Sequence, residues 1–192
     1  PAMLTTNDER RALIQNYGEV HFLDFAAVQH LTAEQFMRYL HEQEDVQVLL
    51  IGYDHHFGCG RTEGFGDYER YGREIGIEVI RGEVCIDNDN PISSTRIRRL
   101  LEEGKVNDAA LLLGHQYRLH GEVISGYQEG RKIGFPTANL CPSCSNKLIP
   151  ADGVYAVRVT INQNNYLGML NIGYRPTMNN GRERSIEVHI LD

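Results

Sequence analysis

The stretch GVYAVRVTI, residues 153–161, carries an apolar side chain at every second position from its tyrosine onward. A period of two residues predicts a β-strand with one buried face. The same period recurs in YRLHGEVISG (117–126), YLGMLNIG (166–173) and SIEVHILD (185–192). Turn sequences such as NQNN and NNG separate these stretches, and no helical pattern follows residue 114. Short strands joined by such turns predict a small antiparallel barrel over residues 115–192.

Upstream of residue 114, helical and strand patterns alternate along the chain. Thr6 with Glu9 and Thr32 with Gln35 have the spacing of a capping box, which predicts a helix start at each pair. The continuous apolar run VQVLLIG, residues 46–52, predicts a strand that is buried on both faces. The other predicted elements are strands at EVHFLDF (19–25) and IEVIRG (77–82) and helices at FGDYERYGREIG (65–76), STRIRRLLEEG (94–104) and VNDAALLLG (106–114). This alternation predicts a parallel, doubly wound sheet, so an α/β domain over residues 1–114 should precede an all-β domain over residues 115–192.

The net charge of −7 is unevenly distributed over the 192 residues. Residues 1–114 contain 11 Lys and Arg against 20 Asp and Glu, whereas residues 115–192 contain 8 against 6. The acidic first part argues against binding to nucleic acid, because that affinity rests on cationic contacts to phosphates. No apolar run approaches the ~20 residues of a membrane span, and the first residues contain no hydrophobic signal core. We therefore expect a cytoplasmic protein without a nucleic-acid or membrane partner, and the sequence indicates no oligomeric state.

Among the four cysteines, Cys141 and Cys144 in CPSC have a paired spacing. A structural zinc site usually needs two such pairs, or histidine partners at set spacings. His55 and His56 could complete a site only if folding brought them to the cysteines. We expect free cysteines in a reducing compartment and no bound zinc.

The loop IGYDHHFGCGRTEG follows the predicted buried strand. In open α/β sheets, ligands bind outside the carboxyl ends of strands, so this loop lies where a substrate would bind. Its glycines allow close backbone approach, and Asp54 could accept a hydrogen bond. A glycine-rich surface loop without a ligand is the alternative interpretation.

The stretch PISSTRIRRLL predicts a helix that begins with hydroxyl and cationic side chains. Ser93 or Ser94 would cap it, and its first turns carry Thr95, Arg96, Arg98 and Arg99. A helix N-terminus already presents free N–H groups and a positive dipole end, so arginines there suit an anion. The pattern predicts a phosphate clamp, with a capped surface helix as the alternative.

The stretch GYQEGRKIGFPTAN, residues 126–139, joins two predicted strands and would itself make a poor strand, because Pro136 fixes its own backbone and removes a donor. Thr137 and Asn139 point the same way in an extended segment. A hydroxyl and an amide oxygen side by side suit Mg²⁺, which takes its remaining ligands from water and phosphates. Amides and cationic groups for phosphate binding would come from Gly126, Gly130, Gly134 and Arg131 or Lys132. A stiff turn without a ligand is the alternative.

The motifs ISSTRIR, GRKIGFPTANL, LIPADGVYAVRV, NIGYRPT and SIEVHILD occur here in the order found in bacterial bifunctional riboflavin kinase/FAD synthetases, and the chain resembles that family over essentially its whole length. GFPTAN and NIGYRPT are highly specific, whereas GYDHHFG and SST are shared more widely among nucleotidylyltransferases. The resemblance implies a Rossmann-like nucleotidylyltransferase domain that adenylylates FMN to FAD. It also implies a riboflavin kinase β-barrel that phosphorylates riboflavin to FMN. ATP is then a co-substrate, Mg²⁺ the metal, and riboflavin and FMN the other small-molecule partners.

Two features of the family are not found in this sequence. The family's first strand and helix carry an H-x-G-H motif, and its kinase domain continues into further strands and a long helix. We therefore expect residues 1–114 to lack the N-terminal part of the FMN adenylyltransferase domain. We expect residues 115–192 to lack the C-terminal part of the kinase barrel, and the 192-residue chain to form no FAD.

In the adenylyltransferase part, the resemblance gives Asp54 a position in the substrate loop that is Asn in some members. It gives Ser94, Thr95 and Arg98 the grip on the ATP phosphates. Both assignments concern the transfer of an adenylyl group to FMN with pyrophosphate as the leaving group.

In the kinase part, the resemblance makes Thr137 and Asn139 the Mg²⁺–ATP residues and Glu187 the catalytic base. His189 shares a strand face with Glu187 and receives no role beyond that of a neighbour. The alternative from another class is a non-catalytic module that binds nucleotide or flavin, because small antiparallel barrels can simply bind flavin. The pairing of PTAN with a later strand glutamate favours an enzyme, since mere binding has no use for a base.

Overall fold

The computed structural model describes residues 2–125, 135–176 and 182–191. The chain divides into two compact units, which are Pro1–Leu13 with Ile92–Asp192, and Ile14–Pro91. These units do not divide at residue 114, because the two helices before that residue lie in the same unit as the strands that follow it. The predicted domains 1–114 and 115–192 stay a prediction.

The unit Ile14–Pro91 contains three helices and two small sheets. Its elements are α2 (Phe25–Val28), α3 (Ala33–Glu44), β1 (Val48–Ile51), α4 (Phe65–Ile75), β2 (Glu78–Arg81), β3 (Ile86–Asp87) and β4 (Asn90–Pro91). Strands β1 and β2 pair in parallel, with Leu49 opposite Val79, and β3 and β4 form an antiparallel pair. The connection from β1 to β2 passes through α4, as a parallel pair requires.

The core of this unit lies between its helices and one face of the β1–β2 sheet. Its buried side chains are Ala33, Met37, Ile51, Tyr68 and Ile77. Tyr68 is fully buried, and its hydroxyl donates to the Glu63 carbonyl at 3.0 Å, which satisfies the polar end of the side chain.

The capping spacing of Thr32 and Gln35 is confirmed at the start of α3. The Gln35 N–H donates to Thr32 Oγ1 at 3.2 Å, and the Thr32 N–H donates to Gln35 Oε1 at 3.0 Å. These reciprocal bonds satisfy two backbone donors that a helix start otherwise leaves open.

One strand prediction in this unit is wrong, and a second is right about the strand but wrong about its burial. EVHFLDF contains no strand; Asp24 instead caps α2, and its Oδ1 accepts the Ala26 N–H at 2.9 Å. This local cap gives the backbone an alternative to strand pairing. The run VQVLLIG was predicted to be buried on both faces, yet Val48 is 54% exposed and Leu50 69% exposed. Only the face of Leu49 and Ile51 packs on the helices, and β2 is the strand that pairs with β1 in the described part of the chain.

The other unit contains α1 (Asn7–Ile14), α5 (Ser94–Glu102) and α6 (Val106–Leu113), followed by a five-stranded sheet. Its strands are β5 (Gly121–Ile124), β6 (Ala138–Pro142), β7 (Gly153–Ile161), β8 (Asn164–Pro176) and β9 (Arg182–Ile190). The strand order is β5-β6-β9-β8-β7, and every neighbouring pair is antiparallel. The predicted antiparallel sheet is therefore confirmed, while its closure into a barrel stays a prediction.

The β7–β8 hairpin shows why the alternating stretch at 153–161 folds as predicted. Ile161 pairs with Asn164 across a two-residue turn. Asn162 has φ 48° and Gln163 has φ 69°, the left-handed conformation that such turns need at both positions. The turn in NQNN therefore fixes the register of β7, which precedes it, with β8, which follows it.

Among the described residues of this unit, two hydrophobic clusters form its core. Between the helices and the chain that precedes β7, the buried residues are Ile97, Leu101, Ala109 and Leu148. Under the sheet they are Leu170, Ile172 and Ile186. The Ala151 N–H donates to the Leu101 carbonyl at 2.9 Å, which joins α5 to the segment leading into β7.

The first residues of the chain are attached to the same unit by backbone bonds and one buried ion pair. The Met3 N–H donates to the Asn146 carbonyl at 2.7 Å, and the Leu148 N–H donates to the Met3 carbonyl at 2.9 Å. The predicted capping box of Thr6 and Glu9 is confirmed, and the Glu9 carboxylate also accepts a hydrogen bond from the buried Lys147 ammonium at 2.5 Å. Across the described residues, every helix is too short or too polar to cross a bilayer.

Candidate active site

The pairing register of β6, β8 and β9 brings three polar side chains into one row. Glu187 on β9 lies opposite Asn139 on β6 and opposite Asn171 on β8. Directly opposite residues of an antiparallel sheet point to the same face. The next residue, Val188, points the other way and packs on the core beneath the sheet, as the alternation in SIEVHILD predicts. Thus the sheet separates an apolar core face from a polar face around Glu187.

Hydroxyl groups hold both oxygens of the Glu187 carboxylate. Thr137 Oγ1 donates to Oε2 at 3.1 Å, and Ser185 Oγ donates to Oε1 at 3.3 Å. Glu187 is partly buried. A carboxylate that is held in this way keeps a fixed orientation, and an ionised carboxylate can accept a proton. Glu187 is therefore part of an organised polar site and not a solvated charge on an outer face.

The stretch FPTANL, residues 135–140, was predicted to make a poor strand, yet its second half is a strand. Phe135 to Thr137 have no regular structure, but β6 begins at Ala138 and pairs with both β5 and β9. Pro136 lies before the strand, so its missing N–H costs no ladder hydrogen bond. The corner places Thr137 two residues before Asn139, on the face of Glu187.

His189 supports this corner. Its Nδ1 lies 2.8 Å from the Pro136 carbonyl oxygen, which requires a proton on Nδ1, and its ring meets the Phe135 ring edge to face at 5.6 Å. His189 is thus a neighbour of Glu187 that contacts the segment before β6.

The oxygen atoms on this face fit a hard cation. Thr137 Oγ1 gives its proton to Glu187 and retains its lone pairs, and the Asn139 side chain supplies a carbonyl oxygen on the same face. Such an incomplete oxygen set suits Mg²⁺, which keeps several waters and binds substrate phosphates. In the described part of the chain, no three His, Cys, Asp or Glu side chains group closely enough to hold a metal. Predicted phosphate-binding residues Gly126, Gly130, Arg131 and Gly134 lie outside the described residues.

The predicted phosphate clamp begins α5, and Ser93 rather than Ser94 caps the helix. Ser93 Oγ accepts the Arg96 N–H at 3.2 Å. Ser94 and Thr95 are exposed in the first turn, while Ile97 is buried.

Arg98 lies four residues after Ser94 and three residues after Thr95, so the three side chains lie on the same side of the helix. Its Nε donates to the Ala2 carbonyl at 2.8 Å, which holds the guanidinium in one orientation. The helix start therefore combines two hydroxyls, a cation and the positive end of the helix dipole.

Asp54 belongs to the other compact unit, in the loop that follows β1. The turn beside it is held by Arg81, whose Nη2 donates to the Tyr53 carbonyl at 2.8 Å. Farther along the loop, the Phe57 ring stacks on Tyr68 at 4.2 Å. The loop therefore has packed anchors on both sides of an exposed Asp54, at the carboxyl end of the strand as predicted.

Sequence reasoning missed Ser185 and Asn171. Ser185 has a local signal, because it lies two residues before Glu187 and shares its strand face. Asn171 is the first residue of the NIGYRPT motif, but its position opposite Glu187 depends on the register of β8 and β9, which no local pattern gives. All four cysteines are free, and the expectation about zinc stays a prediction.

Two family models match the chain. The riboflavin kinase model matches residues 113–192, and the FAD synthetase model matches residues 1–96. Among relatives named bifunctional riboflavin kinase/FMN adenylyltransferase, that of Listeria monocytogenes is 40% identical over 77% of this chain and 46% of its own length. That of Escherichia coli is 35% identical over 100% of this chain and 62% of its own length.

A solved structure has the same fold over nearly the whole chain. The crystal structure described as a macrolide-efflux protein from Streptococcus pneumoniae superposes with a TM-score of 0.86 at 34% identity, over 98% of this chain and 61% of that one. The chain therefore spans about half to three fifths of the length of the proteins it matches. The two family models together cover both the clamp helix start and the Glu187 site, and the chain belongs to the bifunctional riboflavin kinase/FAD synthetase family.

Proposed function

We propose that this chain carries the riboflavin kinase site and the phosphate clamp of an enzyme of flavin cofactor biosynthesis. The whole protein would phosphorylate riboflavin to FMN and then adenylylate FMN to FAD, with ATP as the co-substrate of both steps. The observation that carries the proposal is the Glu187 carboxylate held by Thr137, with Asn139 opposite it on the same face. A Rossmann-like first domain, closure of the sheet into a barrel and a cytoplasmic location belong to this proposal.

In the kinase step, Glu187 orients the 5′-hydroxyl of riboflavin and takes its proton. The hydroxyl oxygen bonds to the γ-phosphorus of ATP while the bond from that phosphorus to the bridging oxygen breaks, and ADP leaves. Thr137 keeps the carboxylate in the orientation that accepts the proton. Thr137 and Asn139 would hold Mg²⁺, which offsets the negative charge of the phosphates when bound.

In the adenylyl step, the start of α5 binds the phosphates of ATP. The FMN phosphate oxygen bonds to the α-phosphorus, and the pyrophosphate leaves with its negative charge. Ser94, Thr95 and Arg98 supply hydrogen bonds and a positive charge for that leaving group. Asp54 would contact substrate from the loop after β1.

The test is product formation by the full-length gene product. Riboflavin, ATP and Mg²⁺ should give FMN, and FMN under the same conditions should give FAD, both resolved by chromatography. A protein that binds riboflavin, detected by quenching of flavin fluorescence, but never forms FMN would be the non-catalytic flavin-binding module instead.

A further inference from the structure

The strand on the far side of Glu187 carries a polar side chain that the proposed mechanism does not use. Asn171 on β8 lies directly opposite Glu187, and it is exposed. Its neighbours Leu170 and Ile172 point to the other face and are buried in the core. The position of Asn171 is therefore fixed by a well-packed strand, while its carboxamide lies on the polar face.

A space without a side chain adjoins this carboxamide. Gly173 lies two residues after Asn171, on the same face, and opposite Ser185. A Cβ added at Gly173 would lie 3.9 Å from Asn171 Nδ2 and would meet no closer atom of the described residues. The φ of Gly173 is not in the left-handed region, so neither the backbone conformation nor the described packing requires a glycine there. Leaving this space open is consistent with a ligand beside Glu187.

The side chains on the two strands beside Glu187 differ in their chemistry. On the β6 side lie Asn139 and the Thr137 hydroxyl, which suit the metal and the phosphates. On the β8 side lies Asn171, followed on β7 by Val154, which is 69% exposed. Glu187 thus lies between a region that suits phosphates and a region that ends in an apolar side chain. This arrangement suits a phosphate donor on the β6 side and an amphipathic alcohol on the β8 side.

Riboflavin is such an alcohol, because a chain of secondary hydroxyls separates its reactive primary hydroxyl from a flat apolar ring system. A carboxamide offers two donors and an acceptor, and a hydroxyl can both donate and accept. We propose that Asn171 binds the ribityl hydroxyl adjacent to the one that is phosphorylated, in the space left open at Gly173. This inference rests on the proposed riboflavin kinase function.

The test compares Asn171→Ala and Asn171→Ser with wild type in the full-length gene product. Loss of one neutral hydrogen bond, about 0.5–1.5 kcal/mol, should raise the KM for riboflavin about 2- to 10-fold in Asn171→Ala. The kcat and the KM for ATP should change less than about 2-fold, since the bond is made equally in the ground state and the transition state. Asn171→Ser, which retains a hydroxyl, should recover part of the loss.

Asn165→Ala is the matched control, because Asn165 lies on the same strand and face but its Oδ1 accepts from Thr160 at 2.7 Å, far from Glu187. Gly173→Val is the second arm, since it should fill the open space and raise the Kd for riboflavin in fluorescence quenching without unfolding the protein. Because this binding readout needs no turnover, it separates failure of the Asn171 assignment from failure of the kinase assignment.

Three results would overturn the inference. A fall in kcat with a displaced pH–rate profile and an unchanged riboflavin KM would mean that Asn171 only orients Glu187. Unchanged kinetics and binding in Asn171→Ala would make it a surface residue. Normal riboflavin binding by Gly173→Val would mean that the open space is not part of the site.

Discussion

Glu187 differs from an ordinary exposed glutamate in the hydroxyls that hold it. Its two oxygens accept from Thr137, which lies just before β6, and from Ser185 on β9. The alternation in SIEVHILD predicts which side of β9 the carboxylate occupies, and the resemblance to the family predicts the pairing with Thr137 and Asn139. Asn171 could not be predicted in this way, because a neighbour on another strand depends on the register of the sheet and not on local spacing.

The two hydroxyls on Glu187 should not contribute equally. Thr137→Val keeps the shape of the side chain but removes a hydroxyl that bonds Glu187 at 3.1 Å and also offers lone pairs to the metal. FMN formation should fall by about 10-fold or more, with a higher Mg²⁺ requirement. Ser185→Ala removes only the longer bond of 3.3 Å and should lower the rate by no more than about 3-fold. Equal losses in initial-rate assays over a Mg²⁺ titration would contradict the metal role of Thr137.

At the scale of elements, local sequence signals predict caps and turns well and predict burial poorly. The capping pairs at α1 and α3, the serine cap of α5 and the NQNN turn all occur as predicted, because each depends on residues within a few positions. The strand at EVHFLDF fails because Asp24 makes a local cap instead. The burial of VQVLLIG fails on one face, since burial depends on what packs against a strand and not on its own composition.

The two phosphate-binding elements should be separable by mutation. In the full-length gene product, Arg98→Ala should lower FAD formation from FMN about 10- to 100-fold, the scale of a lost charge-assisted hydrogen bond, with FMN formation largely intact. Asn139→Ala should lower FMN formation and spare FAD formation. Arg99→Ala is the matched control for the helix, because its side chain is 71% exposed and pairs only loosely with Glu103 at 3.7 Å. If Arg98→Ala and Asn139→Ala depress both activities equally, the assignment of two sites is wrong.

At the scale of the whole molecule, the two compact units do not divide at residue 114, and the domains 1–114 and 115–192 stay a prediction. Alternation of helix and strand ends near residue 114, but the helices α5 and α6 and the first residues of the chain share a unit with the antiparallel sheet. Contacts of high sequence separation produce this arrangement, and the clearest is the buried pair of Glu9 and Lys147. No local pattern marks that pair, because each residue alone resembles an ordinary surface charge.

The two residues of the buried pair should be strongly coupled, while the net contribution of the pair to stability should be small. Burial lowers the pKa of Lys147, and the hydrogen bond and charge of Glu9 oppose that shift. Glu9→Gln or Lys147→Met alone leaves a buried group without its partner, so the free energy of unfolding should fall by about 3–5 kcal/mol. The variant with both changes should recover most of that loss. Urea unfolding followed by circular dichroism measures the midpoints, and additive losses in the double variant would show that the pair is not coupled.

The central claim is that Glu187 is the base of riboflavin phosphorylation, and Glu187→Gln in the full-length gene product tests it most directly. The amide keeps the size of the side chain and cannot take the proton, so the kcat for FMN formation should fall by about 10²-fold or more. Riboflavin and Mg²⁺–ATP binding should persist, as should FAD formation from supplied FMN. Glu122→Gln, the same change at an exposed position of β5, should leave all of these unchanged. A Glu187→Gln protein that retains most of its riboflavin kinase turnover would contradict the account.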